Sequence, residues 1–428
     1  MFSDTACVSL IAMLMVIHLI IGAPLFLVLG LGSLAMVVTV GVYSIEIIGQ
    51  VPFTAIDNWA LLAMPLFILT GDIISSGRVA RALTDLGESL LGWMYGGLGM
   101  STIGGCFFFA GTSGSNSADT AAIGKIMIPS LLEKGYERPY AAALSAAGGC
   151  LGIIVPPSLI FIIYGVVTST SVGDLFLAGI FPGVLMALCL CVANYISCRY
   201  MKWGAQSKTP FSGSKLAKKA WAARYGLLAP AIILGGIYSG IFTPTESAAV
   251  AVAYCLIVEI FITRAVRWSE VPRLFFRSGI ITGLIGPIIA FSILFGEVMS
   301  VLRVPDAIAQ YMISAHMGMV GTMLMIMLLL IVFGCFMETM ASIIILMPIL
   351  MPIAHSMGVD MVHFGVFVVC TLTIGYITPP VGINLFAASA VSGVPYLKIA
   401  ARIWPLCLAL VAAVIIIAFL PGLSLWFR

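Results

Sequence analysis

The sequence predicts an all-α polytopic membrane protein built as an inverted-topology repeat, with about ten spanning helices and two re-entrant hairpins. Three observations lead there. The 428 residues are 61% hydrophobic and 9% charged, with a mean hydropathy of +1.17, which a water-solvated surface would not tolerate. Apolar runs long enough to cross ~30 Å of hydrocarbon recur from end to end, and lipid offers a backbone no partner, so the spans must be helices. The two halves of the chain also repeat each other, with opposite orientation in the membrane.

Loop charge sets the order of the elements. Residues 199–224 hold Arg199, Lys202, Lys208, Lys215, Lys218, Lys219 and Arg224 and no acid, so this linker is read as cytoplasmic. After it come paired helices at about 225–241 and 244–263, returning to a cytoplasmic end with Arg264, Arg267, Arg273 and Arg277. A crossing at about 279–301 follows, then a hairpin at 318–334 and 337–354, a broken helix at 361–391 and a last helix at 403–427. Backwards from 199 the series is a crossing at 175–198, a broken helix at 137–170, a hairpin at 95–133, a crossing at 59–76 and a helix pair before 49. With both termini periplasmic, 17 of the 20 basic residues are cytoplasmic, the exceptions being Lys125, Arg303 and Arg428. Asp4, with no basic residue before the first apolar run, is the wrong start for a cleaved signal, and that segment is expected to be retained.

The repeat has a register. At an offset of 223, Gly111, Pro129, Gly135, Gly152, Pro156, Pro157 and Pro182 fall on Gly334, Pro352, Gly358, Gly375, Pro379, Pro380 and Pro405. About one such match is expected by chance. At offset 225, residues 71–79 match 296–304, pairing Asp72 and Arg78 with Glu297 and Arg303, which read as structural ion pairs. An inverted repeat with broken helices points to secondary transport.

The chemistry is expected where polar backbone lies at membrane depth. The first hairpin turns at GTSGSNSADT, residues 111–120, and its counterpart is the break GIIVPPS, 152–158, where Pro156 and Pro157 remove two backbone donors. Hydroxyls and carbonyls of Ser113 and Ser115, with carbonyls near Gly152 and Val155, would make an oxygen cage that suits Na+. A second cage would use Gly334, Thr339, Gly375 and Thr378. Half-helix N-termini beyond both breaks present positive dipole ends suited to an anionic solute, with Ser158, Asn116 and Asn384 as donors. Asp119 is read as assisting an ion, orienting the solute or capping the hairpin. Arg303 is read as an interface ion pair or a partner for the solute's carboxylate. Glu246 reads as a helix cap, and His316, His355 and His363 as loop or interface residues. The ten cysteines have no metal-ligand spacing and read as small packing residues. No nucleic-acid patch is present, and no HExxH, intramembrane Ser/Lys or paired-Asp set argues for an enzyme.

In order along the chain, MPLFILTGDIISSG, GTSGSNSADTAAIG, IVPPSLIFIIYG, FTPTESAAVAV and ITPPVGINLF resemble the large membrane subunit of tripartite ATP-independent periplasmic (TRAP) transporters, within the superfamily that includes divalent-anion/Na+ symporters. The resemblance implies an elevator-type design in a bacterial inner membrane. Residues 1–58 and 225–278 would form scaffold helix pairs. Residues 59–198 and 279–428 would each supply the arm, hairpin and broken helix of a mobile transport domain. It also implies Na+ coupling, uptake of an organic acid such as a C4-dicarboxylate or sialic acid, a small four-helix membrane subunit and a periplasmic substrate-binding protein. Its cation sites transfer to Ser113, Ser115, Gly152, Val155 and Pro156, and to Gly334, Gly375 and Thr378. Its solute site transfers to Asn116, Asp119, Ser158 and Arg303. The second tip, CFMETMAS, departs from the first by lacking adjacent serines and introducing Glu338. The competing reading is a self-sufficient divalent-anion/Na+ symporter; a membrane-embedded enzyme or a channel fits less well.

Overall fold

A computed structural model of the chain describes residues 4–21, 23–41, 44–76, 79–203, 212–304, 307 and 318–428. The regular elements among them are helices. The first repeat opens with the pair α1 (Asp4–Ile21) and α2 (Leu25–Val40), a short α3 (Ile47–Ile56), α4 (Ala63–Ser76) and α5 (Val79–Leu91). Its hairpin is α6 (Gly97–Ser113) and α7 (Asn116–Glu133), its broken helix α8 (Arg138–Gly149) and α9 (Leu159–Thr168), and α10 (Val172–Met201) closes it. The second repeat runs through α11 (Gly213–Tyr238), α12 (Pro244–Ile257) and α13 (Val271–Val301). Then come the hairpin α14 (Gly318–Phe336) and α15 (Thr339–Ser356), the broken helix α16 (Met361–Gly375) and α17 (Ile383–Ser392), α18 (Tyr396–Arg402) and α19 (Trp404–Phe419). Among the described residues six helices are long and apolar enough to cross a membrane unaided; the shorter apolar helices there run to 10–17 residues.

Several boundaries differ from those read off hydropathy. The extra helix α5 buries Val79, Leu83 and Leu86 while Arg81 and Glu88 face outward. Its charged face hides it from a search for wholly apolar runs. Residues 213–224, read as linker, form the first turns of α11, started by Ser212, whose hydroxyl accepts from the Lys215 N–H at 3.3 Å. Lysines are good helix formers that lower hydropathy, so the two signals conflict there. Glu246 behaves as expected: with Thr243 it closes a capping box on α12. His363 does not, because it is buried in α16 with Nε2 3.3 Å from Ala418 O. His355 is exposed, and His316 lies outside the described residues.

The repeats interlock. The second arm of each hairpin packs on the other repeat's broken helix, α7 on α17 and α15 on α9. In the same crossed fashion α4 packs on α12 and α13 on α2. The offset of 223 has a physical counterpart, since Cys150 and Thr373 are equivalent and bond each other reciprocally. The Cys150 thiol donates to Thr373 O at 3.3 Å and the Thr373 hydroxyl donates to Cys150 O at 3.2 Å. A pseudo-dyad passes between them. The equivalent acids before α8 and α16 each hold an arginine, Glu137 pairing with Arg402 of the other repeat at 2.9 Å and Asp360 with Arg428 of its own at 2.5 Å.

On the periphery α5 is fastened to the second repeat by Lys219–Asp85 at 2.6 Å and by buried Glu259, which accepts the Val79 N–H at 3.4 Å. Asp72 pairs with Arg277 of α13 at 3.6 Å; Arg78, its expected partner, lies outside the described residues. On its other side α5 meets α6 through glycine: a Cβ on Gly87 would stand 2.9 Å from Gly105 N and 3.1 Å from Ser101 O. Gly87→Leu is therefore expected to destabilise by about 1–3 kcal/mol through overpacking against backbone. Gly283→Leu, at an exposed site with nothing within 4 Å, leaves the thermal midpoint unchanged. Thermal unfolding of the detergent-solubilised chain tests the pair, and equal midpoints would contradict the packing argument.

Candidate ion and solute site at the paired hairpin tips

At the first tip, Gly114 ends α6 in the left-handed region, at φ 62°, and extended Ser115 starts α7. Opposite lies the first break, where α8 gives way to a short 3-10 turn, Cys150–Ile153, then to a turn and bends over 154–157 before extended Ser158 starts α9. Glycine permits the approach. A Cβ on Gly152 would lie 2.5 Å from Asp119 Oδ2 and 3.1 Å from Ser115 O, and one on Gly111 would lie 3.1 Å from Pro156 O. Ser115, Gly152, Pro156 and the fully buried Asp119 are thus brought together as the sequence expects. Asp119 faces the break itself, while Lys125 on the same helix is exposed. The side chain of Ser113 lies outside the described residues. Val155 turns its side chain towards Gly183 of α10 and donates its N–H to Leu151 O at 3.2 Å.

The second tip repeats the contact with different side chains. The backbones of Gly334 and Gly375 touch, and a Cβ on Gly334 would stand 2.5 Å from Leu372 O. Glu338 resolves the departure noted in the sequence: it is the N-cap of α15, accepting from Met340 N at 2.9 Å and Ala341 N at 3.4 Å. Tyr376, which the sequence reading missed, accepts the Thr339 N–H at 2.8 Å and donates to Glu338 Oε1 at 3.2 Å. The Thr378 hydroxyl donates to Ile374 O at 2.7 Å, and the Thr378 carbonyl accepts the Cys335 thiol at 2.9 Å. Cys150 and Cys335 are therefore more than packing residues, since each thiol satisfies a carbonyl at or beside a break. Both breaks carry a cis Pro–Pro bond, Pro156–Pro157 and Pro379–Pro380.

The solute candidates divide. The Ser158 hydroxyl donates to Ile153 O at 2.5 Å and so closes the first break. Asn384 reaches across the dyad, donating from Nδ2 to Ala146 O at 3.1 Å, and Asn116 donates from Nδ2 to Thr373 Oγ1 at 3.2 Å. The first turn of α17 is less open than expected, because the Asn384 N–H turns back to Tyr376 O at 3.0 Å. Arg303 is exposed beyond α13 in the left-handed region, at φ 52°, and shares no hydrogen bond or ion pair with Asn116, Ser158 or Asn384 among the described residues. Glu297 and Arg303 do not form the expected ion pair there either.

Three buried oxygens stand out. Asn116 Oδ1, Thr339 Oγ1 and Asn384 Oδ1 have no hydrogen-bond partner among the described residues. The first two residues are repeat equivalents at the offset of 223, each opening the second arm of its hairpin. Buried polar atoms are nearly always paired, so a matched couple at equivalent tips is an exception that calls for a physical reason.

An inverted repeat with paired hairpins and breaks, each tip held against backbone by glycine, defines a membrane transport protein rather than an enzyme. The chain belongs to the tripartite ATP-independent periplasmic transporter family, DctM component, whose profile matches residues 11–423. It is 38% identical over 411 residues to the isethionate TRAP transporter permease protein DctMQ of Oleidesulfovibrio alaskensis, covering 96% of this chain and 65% of that protein. The chain thus spans just under two thirds of that relative. It is 40% identical over 373 residues to the C4-dicarboxylate TRAP transporter large permease protein DctM of Pseudomonas aeruginosa, covering 87% of each. Further relatives are named for sialic acid and for ectoine/5-hydroxyectoine, at 33% and 32% identity. Among solved structures the chain resembles MtrF of Neisseria gonorrhoeae, from a class of antimetabolite efflux pumps. The TM-score is 0.58 at 13% identity over 88% of this chain and 84% of that one, a likeness of fold.

The orphaned oxygens make a signed prediction. In Na+-free buffer Thr339→Val removes an unsatisfied hydroxyl without changing shape and leaves stability equal or higher. Ser158→Ala strips a bonded hydroxyl from Ile153 O and lowers stability by about 1–3 kcal/mol. Denaturation midpoints of the two variants, measured side by side, decide it; a loss for Thr339→Val matching that for Ser158→Ala would remove the oxygen from consideration.

Proposed function

We propose that this chain imports a small organic acid by Na+ symport, as the membrane-embedded transport subunit of a binding-protein-dependent transporter in a bacterial inner membrane. The observation that carries the reading is the repeat-related pair of buried, unpartnered oxygens, Asn116 Oδ1 and Thr339 Oγ1, each beside a glycine-lined contact between tip and break. Oxygen donors drawn from hydroxyls and carbonyls match a hard monovalent cation. One Na+ would be held by Ser113, Ser115, Gly152, Val155 and Pro156, with the Asp119 carboxylate as counter-charge. The other would be held by Gly334, Thr339, Gly375 and Thr378. The solute would lie between the tips, where Asn116 and Asn384 each reach across the dyad and Ser158 starts α9.

Crossed packing supports an elevator mechanism, because α7 on α17 and α15 on α9 bind both hairpins and both broken helices into one body. The pairs α1–α2 and α11–α12 would then be the scaffold along which it moves. Names of relatives support an acid cargo of the isethionate, C4-dicarboxylate or sialic acid kind. The unmatched third of the DctMQ relative supports a small second membrane component, and a periplasmic binding protein would deliver the solute.

The test is uptake into liposomes holding this chain and its small subunit, with the binding protein outside and an inward Na+ gradient. Uptake is expected with Na+ and to fail with K+. Thr339→Val and Ser115→Ala are each expected to raise the Na+ concentration for half-maximal uptake about 10- to 100-fold. Equal uptake in K+ would sink the symport. Full uptake by the chain alone would instead support the self-sufficient symporter.

A further inference from the structure

The pseudo-dyad carries a hydrogen-bond chain whose directions are fixed by chemistry. The Cys150 carbonyl can only accept, so the Thr373 hydroxyl, 3.2 Å away, points its proton there. Thr373 Oγ1 is then left to accept, and the Asn116 amide 3.2 Å from it must offer N–H. That choice turns Asn116 Oδ1 away, buried and unpartnered. Asn384 is oriented likewise: its NH2 donates to Ala146 O at 3.1 Å and lies 3.6 Å from Cys150 Sγ, whose own S–H bonds Thr373 O. One threonine hydroxyl therefore decides which end of the Asn116 amide faces the first tip.

The same threonine lies on the path to the second tip. Asn116 directly follows Ser115, Cys150 precedes Gly152 by two residues, and Thr373 precedes Gly375 by two residues. Cys150 and Thr373 are fully buried and Asn116 is 2% exposed, so water does not damp the link. A cation that draws Asn116 and the Ser115–Gly152 contact together at the first site pulls on Thr373. Any shift of Thr373 moves the end of α16, where Gly375 and Thr378 form the second site.

We propose that Thr373 couples the two cation sites, so that Na+ at either one raises the affinity of the other. It acts as a positioning residue and not as a ligand. The inference rests on the reading of both tips as cation sites, and coupling of this kind is reciprocal by thermodynamic necessity.

The experiment is equilibrium binding of radiolabelled Na+ to the full chain in nanodiscs, with K+ holding ionic strength constant. The wild type is expected to bind steeply, with a Hill coefficient approaching about two, and Thr373→Val to fall to about one with half-saturation displaced about 5- to 150-fold. Thr373→Ser keeps the hydroxyl and Cys150→Ala keeps the accepting carbonyl, so both retain the steep curve. A merely structural role would lower the amount of folded protein and leave the slope of the remainder unchanged. A steep curve for Thr373→Val overturns the proposal, as does a wild-type slope of one. Absence of Na+ binding by the wild type overturns the cation-site reading beneath it. Should valine not be accommodated, Thr373→Ala removes the same hydroxyl with less bulk and is judged by the same slopes.

Discussion

Two stretches of non-helical backbone lie within the apolar body of this protein, and everything around them is arranged to satisfy their polar groups from inside. Lipid cannot do so, and an unpaired backbone group there costs several kcal/mol. Ile153 O is met by Ser158, Thr378 O by Cys335, and Cys150 O by Thr373 from the other repeat. The last is the keystone, because it closes each repeat with an atom of its twin. Helix α7 packs on α17 of the other repeat as well as on α8 of its own, and α15 on α9 as well as on α16, so each break is enclosed by both repeats.

Symmetry of backbone does not extend to charge. At the first tip the buried Asp119 carboxylate faces Gly152, whereas at the second Glu338 bonds the N-terminus of α15 and Tyr376. On the proposed reading, the first cation meets a carboxylate aimed at the break, whereas the second lies beside one already committed to the N-terminus of α15 and to Tyr376. Two sites built on one backbone plan would then differ in intrinsic affinity. Coupling through the dyad is what allows the weaker to fill once the stronger has.

What was legible in the sequence was what the backbone demands. Gly111, Gly152, Gly334 and Gly375 are read from sequence because no other residue permits tip and break to touch, and the prolines because they remove donors. Helix α5 and the start of α11 were hidden, since their charged faces suppress the hydropathy by which spans are recognised. That the Ser158 and Thr378 hydroxyls also answer nearby carbonyls was not legible, because it is a local choice decided by rotamers rather than by pattern. Thr373 was passed over because Cys150 and Thr373 differ in type and a search for matching Gly and Pro skips them. Applying the same offset to every polar residue would have found the pair.

The direction of the amides also bears on order. Asn116 Oδ1 and Asn384 Oδ1 are both acceptors, each held outward by a donor bond made on the far side. A carboxylate or sulfonate brought to them unaccompanied would set like partial charges against one another in a medium that screens them poorly. A cation at the tip reverses the local sign and supplies what the amide oxygens lack. On this arrangement Na+ must enter no later than the acid. The orphaned oxygens are then what makes an anion site conditional on its counter-ion, so the same two asparagines that knit the repeats together would also tie the movement of solute to the movement of Na+.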